Sequence, residues 1–184
     1  MLRARPVAGD PDVAARFMKV VDEYVWDRGL SPDDTREIRR LKARMERERI
    51  PAGDDPQFHL KLGRGSLSDV EWTVQLLQLR HGIRATGTME AMDALSGAGV
   101  LDAADREVLA DAYRFCEVTR NRVFLLRGVG GDSLPKQPTE LLHLGRSLGM
   151  TPVEVRERYR RVTRRARTTM ERLFYGRSPD SPES

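Results

Sequence analysis

The stretch HLKLGRGSLSDVEWTVQLLQL, residues 59–79, decides the fold of this chain. A basic loop with two glycines leads into a segment whose apolar residues have helical spacing on more than one side. They cover two faces of a helix: Leu67, Val70, Val74 and Leu77 on the first, and Trp72, Leu76 and Leu79 on the second. A helix that is apolar on most sides must be enclosed by other elements. The sequence therefore predicts a central buried helix near residues 66–81.

Signals of helix starts recur along the rest of the chain. A capping residue followed by proline is typical of the first turn of a helix, and it occurs at Asp10-Pro11, Ser31-Pro32 and Thr151-Pro152. Further starts are predicted at Ser66 (with Asp69 three residues later), Thr88, Asp102 and Thr139. The first helix is expected to turn these side chains inward: Val13, Phe17, Val20, Val21 and Tyr24. We therefore expect an all-α bundle of about six to seven helices.

Composition bounds the class of protein. At 184 residues, with 39% hydrophobic and 33% charged residues, the chain is expected to form one helix-rich, soluble domain over residues 1–176, followed by a disordered polar tail over residues 177–184. No apolar run approaches the roughly 18 residues of a membrane span, and no signal-peptide pattern is present. Cys116 is the single cysteine, so we expect a cytoplasmic protein without an internal disulfide. The net charge of +4 indicates an acidic or phosphate-bearing partner.

Polar residues interrupt the apolar pattern of the central helix. We expect a buried polar network formed by two groups of side chains: Asp69, Glu71, Gln75 and Gln78 on the central helix, and Arg120, Asn121 and Arg122 on the fifth predicted helix. Because an unpaired buried carboxylate is costly, Glu71→Ala is expected to destabilise the domain by roughly 3–5 kcal/mol if Glu71 is half of a buried pair. Two interpretations remain open: an internal salt-bridge network that joins two central helices, or a polar seam that faces a cleft shared with another domain.

The loop before the central helix contains Lys61, Gly63, Arg64 and Gly65. The N-terminus of a helix attracts anions, so these residues are candidates for contact with the phosphates of a nucleotide. The pattern is not a P-loop, because its lysine precedes the glycines and no strand leads into it. The alternative interpretation is a tight turn into the helix, whose backbone angles only glycine adopts readily.

Several stretches resemble the C-terminal end of glutamine synthetase adenylyltransferases, in particular the actinobacterial forms. They are MLRARPVAGD, REIRRLKARMERER, HLKLGRGSLSDVEWTVQLLQLRHG, RNRVFLLRG and YRRVTRRARTTMERLFYG, and together they extend over residues 1–176. The core motif of the family, K-x-G-x-G-G-L-x-D-[IV]-E-[FW], also occurs in the related PII-uridylyltransferases. Ser66 stands here where the family has the second glycine of its pair.

The resemblance implies a helical domain that follows a nucleotidyltransferase domain. The family enzyme transfers AMP from ATP to a tyrosine of glutamine synthetase with the help of magnesium, and it also removes the AMP by phosphorolysis. Two-metal transfer needs clustered carboxylates, which this fold supplies as Gly-Ser followed by Asp-x-Asp on a sheet. The one Asp-x-Asp here, at residues 10–12, lies at a predicted helix start. We therefore expect no catalytic residue and no metal site in this chain, and we expect Lys61 and Arg64 to face the nucleotide cleft.

Other functions are compatible with parts of the sequence. The chain could be a stand-alone helical module that binds the PII signal protein or glutamine synthetase without being an enzyme. Its last predicted helix is rich in arginine, which is typical of phosphate contacts with nucleic acid. Glutamates interleave with these arginines and no aromatic platform accompanies them, so a solvated or interdomain face is favoured over a nucleic-acid site.

Overall fold

The structure is a computed structural model that describes residues 2–48, 50 and 55–176, except for the side chain of residue 47. This part of the chain contains seven α-helices and no strand, which confirms the all-α prediction. The helices are α1 (Pro11–Asp22), α2 (Pro32–Glu48), α3 (Leu67–His81), α4 (Thr88–Gly97), α5 (Ala103–Arg127), α6 (Pro138–Leu148) and α7 (Pro152–Leu173). The predicted disordered tail, residues 177–184, lies outside the described residues.

Most helix ends follow the predicted chemistry. The carboxylate of Asp102 accepts a hydrogen bond from the Asp105 amide at 2.7 Å at the start of α5. At the start of α7, Thr151 and Glu154 exchange two hydrogen bonds, each accepting the other's backbone N–H at 2.7 and 3.3 Å. These reciprocal bonds satisfy donors that the first turn of a helix leaves unpaired.

One predicted cap is wrong, and a second has the predicted position but different hydrogen bonds. The N-cap of α4 is Gly87, and Thr88 is the first helical residue, where its hydroxyl accepts a hydrogen bond from Arg3 at 2.6 Å. Ser66 does occupy the N-cap of α3, but its hydroxyl donates backwards to the carbonyl of Gly63 at 2.6 Å. The Ser66 hydroxyl therefore stabilises the turn that precedes α3 and not the first turn of the helix.

Helix α3 lies at the centre of the bundle, as predicted. Its buried apolar residues contribute to three core clusters, of which the two larger ones involve α4, α5, α6 and α7 and the third joins Leu76 to Met170 and Phe174. In the first cluster Val70 and Val74 pack with residues such as Met92, Leu95 and Leu109. The second cluster joins Leu60, Leu67, Cys116, Leu144 and Val155, all buried. Burial raises the pKa of the Cys116 thiol to about 12, so this thiol is unreactive at neutral pH.

The prediction for the inward face of α1 is mostly wrong. Val21 is the residue of this helix that is buried, whereas Val13, Phe17, Val20 and Tyr24 are exposed, Phe17 by 51%. Helical spacing predicts that these residues share a face, but it does not say whether the described part of the chain covers that face. Beyond α1 the chain continues as a π-helical turn, Glu23–Asp27.

A candidate basic groove beside the glycine loop

The loop of residues 59–66 lies directly against α7. A side chain at Gly63 would place its Cβ 2.4 Å from the carbonyl oxygen of His59 and 2.6 Å from the hydroxyl of Tyr159. Gly65 has a φ of +74°, and a Cβ there would lie 1.8 Å from the carbonyl oxygen of Thr163. Both glycines are therefore required by the close approach of the loop to α7.

The amides of Gly63, Gly65 and Ser66 in the glycine loop are already hydrogen-bonded. The Gly63 amide donates to the His59 carbonyl at 2.9 Å, and the Ser66 amide donates to the Gly63 carbonyl at 3.0 Å. The Gly65 amide donates to Oδ2 of Asp69 at 2.6 Å. A phosphate cradle needs backbone N–H groups that point at the ligand. The geometry therefore favours the tight-turn interpretation of the glycines and leaves anion contact to the side chains.

Asp69 is the centre of a buried charge network. Its two oxygens contact cations from two other helices, Lys42 of α2 at 2.5 Å and Arg167 of α7 at 2.9 Å. Asp69 and Lys42 are each only 1% exposed. Glu46 lies between the same two cations, 3.2 Å from the Lys42 ammonium and 2.9 Å from the Arg167 guanidinium. This network ties α2, α3 and α7 together at the point where the glycine loop ends.

Arg167 stays charged in this network. Burial alone would lower the pKa of its guanidinium, but the negative charges of Asp69, Glu171 and Glu46 outweigh burial and raise that pKa. Its Nε donates to Glu171 at 2.7 Å, and Arg64 of the loop donates to the same carboxylate oxygen at 3.3 Å. A continuous chain of ion pairs thus runs from buried Lys42 to Arg64 at the surface.

The predicted partners of Glu71 are wrong. Glu71 pairs with Arg3 at 3.1 Å, and its side chain is 31% exposed. Arg120 pairs with Asp132, while Asn121 and Arg122 are exposed. The Arg120 pair therefore joins the end of α5 to the loop that follows it and not to the polar residues of α3. A signal for the true pair was present, because Lys42 lies on the same face of α2 as Ile38 and Met45.

The two amides of the predicted network have separate environments. Gln78 is buried, and its amide nitrogen donates to the carbonyls of Ile83 and Ala85 at 3.2 and 2.8 Å. It therefore closes the turn between α3 and α4. Gln75 is partly buried, and it does not join the Asp69 network among the described residues.

Beside this network lies an open basic groove of about 450 Å³. Its charged lining consists of Arg64 from the loop and four residues of α7: Arg160, Arg164, Arg167 and Glu171. Arg64 is 61% exposed, and Lys61 is exposed on the same loop but does not line the groove. Sequence reasoning pointed to Arg64 and missed Arg160 and Arg164, which it assigned to a solvated or interdomain face.

The arrangement does not fit a resident magnesium ion. Among the residues that the structure describes, no group of His, Cys, Asp and Glu could hold a metal. Asp10, from the Asp-x-Asp sequence, caps α1 by accepting from the amides of Asp12 and Val13 at 2.8 and 3.1 Å. Within the same described ranges, no helix is long and apolar enough to cross a membrane. What the groove offers chemically is guanidinium groups, which suit phosphate or carboxylate oxygens.

Comparison with known proteins supplies the context for this groove. Residues 35–175 match the model of the family described as GlnD PII-uridylyltransferase. The chain is 49% identical over 96% of its length to the bifunctional glutamine synthetase adenylyltransferase/adenylyl-removing enzyme of Streptomyces avermitilis, and 48% and 43% identical to proteins of the same name from Streptomyces coelicolor and Nocardia farcinica. It spans 18% of the length of each of these relatives. The matches confirm the resemblance drawn from the sequence motifs.

Proposed function

The chain belongs to the GlnD PII-uridylyltransferase family, and on this premise we propose that it is the helical part of a longer enzyme that adenylylates glutamine synthetase. That enzyme transfers AMP from ATP to a tyrosine of glutamine synthetase and removes it again by phosphorolysis. The single observation that carries the proposal is the 49% identity over 96% of the chain to a bifunctional enzyme of that name. The chain spans 18% of that relative, and we place the catalytic domain in a different segment of the enzyme.

The charges of the described residues suggest what the helical part and the catalytic domain would each contribute. Magnesium and its carboxylate ligands would be supplied by the nucleotidyltransferase domain, since the described part of this chain has no acidic cluster for a metal. The helical part supplies positive charge instead. We place Lys61 and Arg64 at the cleft between the two domains, where a fixed cation beside the phosphates stabilises the charge that develops during transfer. Their exposure supports this placement, because both side chains are accessible to a neighbouring domain.

The proposal also covers partners and location. Glutamine synthetase is the protein substrate, and the PII signal protein is a second partner to be tested by pull-down with the chain. We place the enzyme in the cytoplasm, a compartment that suits a chain with one buried cysteine and no disulfide requirement.

A segment exchange tests the proposal directly. The matching segment of the Streptomyces avermitilis enzyme is replaced by this chain, and incorporation of labelled AMP into glutamine synthetase and its removal are measured. We expect the exchanged enzyme to be active in both directions and the 184-residue chain alone to be inactive. A well-folded exchanged enzyme without either activity would contradict the proposal, as would AMP transfer by the chain alone.

Two substitutions sharpen the test of the cleft. In the exchanged enzyme, Lys61→Ala with Arg64→Ala is expected to lower both rates at least tenfold while the folded yield stays the same. The matched control is Arg114→Ala with Arg122→Ala, which removes the same charge from exposed positions of α5. Equal rates in the two double variants would contradict the placement of Lys61 and Arg64 at the cleft.

A further inference from the structure

The arginines of α7 fall into two groups. Several are neutralised by acidic partners: Arg158 by Asp111, Arg172 by Asp105, and Arg167 by the Asp69 network. Arg156, Arg161 and Arg165 have no acidic partner within ion-pair distance among the described residues, and neither do Arg160 and Arg164, the two of this group that line the groove. They are one turn apart, with a rise of roughly 6 Å between them, and both face the groove.

A third cation is held opposite these two. The loop that carries Arg64 is fixed against α7 by the contacts of Gly63 and Gly65 with Tyr159 and Thr163, so the loop cannot carry Arg64 far from the groove without losing them. Like charges at this spacing repel one another. The acidic residue of the groove is Glu171, and its carboxylate already accepts from Arg167. The groove therefore carries an excess of positive charge that an anion would relieve.

The lining also limits what kind of anion fits. The hydroxyls beside the arginines are used internally: Tyr159 donates to the His59 carbonyl, Thr163 to the Tyr159 carbonyl and Thr168 to the Arg164 carbonyl. The ring of Phe58 has the guanidinium groups of Arg156 and Arg160 over it, at 5.4 and 4.9 Å from the ring centre. Guanidinium N–H groups, together with the side-chain amide of Gln57, are thus the donors that the lining offers to a ligand. The Phe58 ring is not offered as a face on which a base could stack.

We infer that Arg64, Arg160 and Arg164 form a binding site for a ligand with two or more linked phosphate groups, recognised through its charged oxygens and not through a base or sugar. The volume of about 450 Å³ is in the range of small-molecule sites, roughly 300–1,000 Å³. Stacking on Phe58 restricts the guanidinium of Arg160 before a ligand arrives. The pair between Arg64 and Glu171 is exposed, so a phosphate displaces Glu171 from Arg64 at small cost.

This inference rests on the proposed function only for the natural source of the linked phosphates, which would be ATP. The site itself requires nothing beyond the 184-residue chain, so its test does not depend on activity. If the chain binds a phosphate chain but the exchanged enzyme is inactive, the binding site is supported and the proposed adenylylation is contradicted. If the exchanged enzyme is active but the chain does not bind a phosphate chain, the proposed adenylylation is supported and the binding site is contradicted.

Calorimetric titration of the chain with inorganic tripolyphosphate tests the site. We expect saturable binding that is at least tenfold weaker for Arg160→Ala with Arg164→Ala. The matched control is Arg161→Ala with Arg165→Ala, which removes two exposed arginines with the same spacing from the same helix but outside the groove lining. The control is expected to weaken binding less than threefold. No saturation at millimolar concentration, or equal weakening by both double variants, would overturn the site.

Further measurements address specificity and folding. ATP and tripolyphosphate should bind within threefold of each other, and monophosphate at least tenfold more weakly; a strong preference for ATP would overturn recognition through phosphate alone. A random DNA duplex that binds with equal dependence on both arginine pairs would indicate a nucleic-acid surface and overturn the inference. Because Arg160 packs on Phe58, Arg164→Ala alone is included as a variant that leaves the packing intact, with at least threefold weaker binding expected.

Discussion

Helices α2 and α3 are in contact, yet α3 is buried through valine and leucine and α2 through a lysine. On α3, Val70, Val74 and Leu76 are almost completely enclosed. On α2, the most enclosed described side chain is Lys42, whereas Leu41 is exposed. Apolar burial is non-directional and tolerates small shifts, but a buried ammonium needs its partners in place. The position of α2 therefore depends on specific ionic contacts in addition to the packing of Ile38 against the cluster around Leu76 and Phe174. The position of α3 depends on the shared core.

The largest expected effect follows from removing the carboxylate at the centre of those contacts. Asp69→Ala deprives Lys42, Arg167 and the Gly65 amide of an acceptor at once. Breaking a buried pair by removing one partner costs roughly 3–5 kcal/mol, and we expect a loss of this size in the free energy of unfolding. Urea denaturation followed by circular dichroism measures it. Lys42→Met, which replaces the buried cation with an apolar chain of similar shape, should cost less; a loss below about 1 kcal/mol for Asp69→Ala would contradict the network.

A second effect tests the contribution of the backbone of the glycine loop to stability, independently of the charged side chains of the loop. Gly65→Ala should cost about 3 kcal/mol, because the new Cβ would overlap the Thr163 carbonyl and the residue must keep a positive φ. Gly99 provides a matched control, because its φ is +71° and no atom lies within 4 Å of the place that a Cβ would take. Gly99→Ala should therefore cost only about 1 kcal/mol. Equal losses in thermal denaturation would show that α7 does not press on the loop.

The same contrast explains what could be predicted from the sequence. Local signals are enough for the all-α fold, for the central position of α3 and for the caps at Asp102 and Thr151, because each depends on residues three or four positions apart. Helical periodicity identified the polar residues of α3, but it could not decide that Asp69 and not Glu71 is enclosed. That choice depends on where α2 and α7 pack.

The candidate groove shows the same limit. Arg64 could be predicted because a basic residue between glycines before a helix is unusual by itself. Arg160 and Arg164 could not, since an exposed arginine on a charged helix has the same local sequence whether it faces solvent or a loop that approaches from residues 59–66. The distinction arises only from the packing of that loop against α7.

A third, smaller effect concerns the exposed apolar face of α1. Phe17→Ala should lower the free energy of unfolding of the chain by about 1 kcal/mol or less, because half of the residue is already in water. Phe174→Ala is the matched control: this buried ring packs against Tyr175 at 4.9 Å between centres, and its loss should cost about 3–5 kcal/mol. Similar losses for the two variants in urea denaturation would show that α1 is packed as tightly as the core.

The smallest effect is expected for Glu71→Ala, the substitution that the sequence alone marked as severe. Glu71 pairs with Arg3 across a partly exposed surface, where water screens the two charges. We expect Glu71→Ala to change stability by about 0.5 kcal/mol or less, and a double-mutant cycle with Arg3→Ala to give a coupling of roughly 0.2–1 kcal/mol. Arg3→Ala alone should cost more than Glu71→Ala, because Arg3 also donates to the Thr88 hydroxyl at 2.6 Å. A loss of several kcal/mol for Glu71→Ala would restore Glu71 as a buried partner and place an ionic attachment of α3 two residues beyond Asp69, on the opposite side of the helix, at the contact with the N-terminal segment.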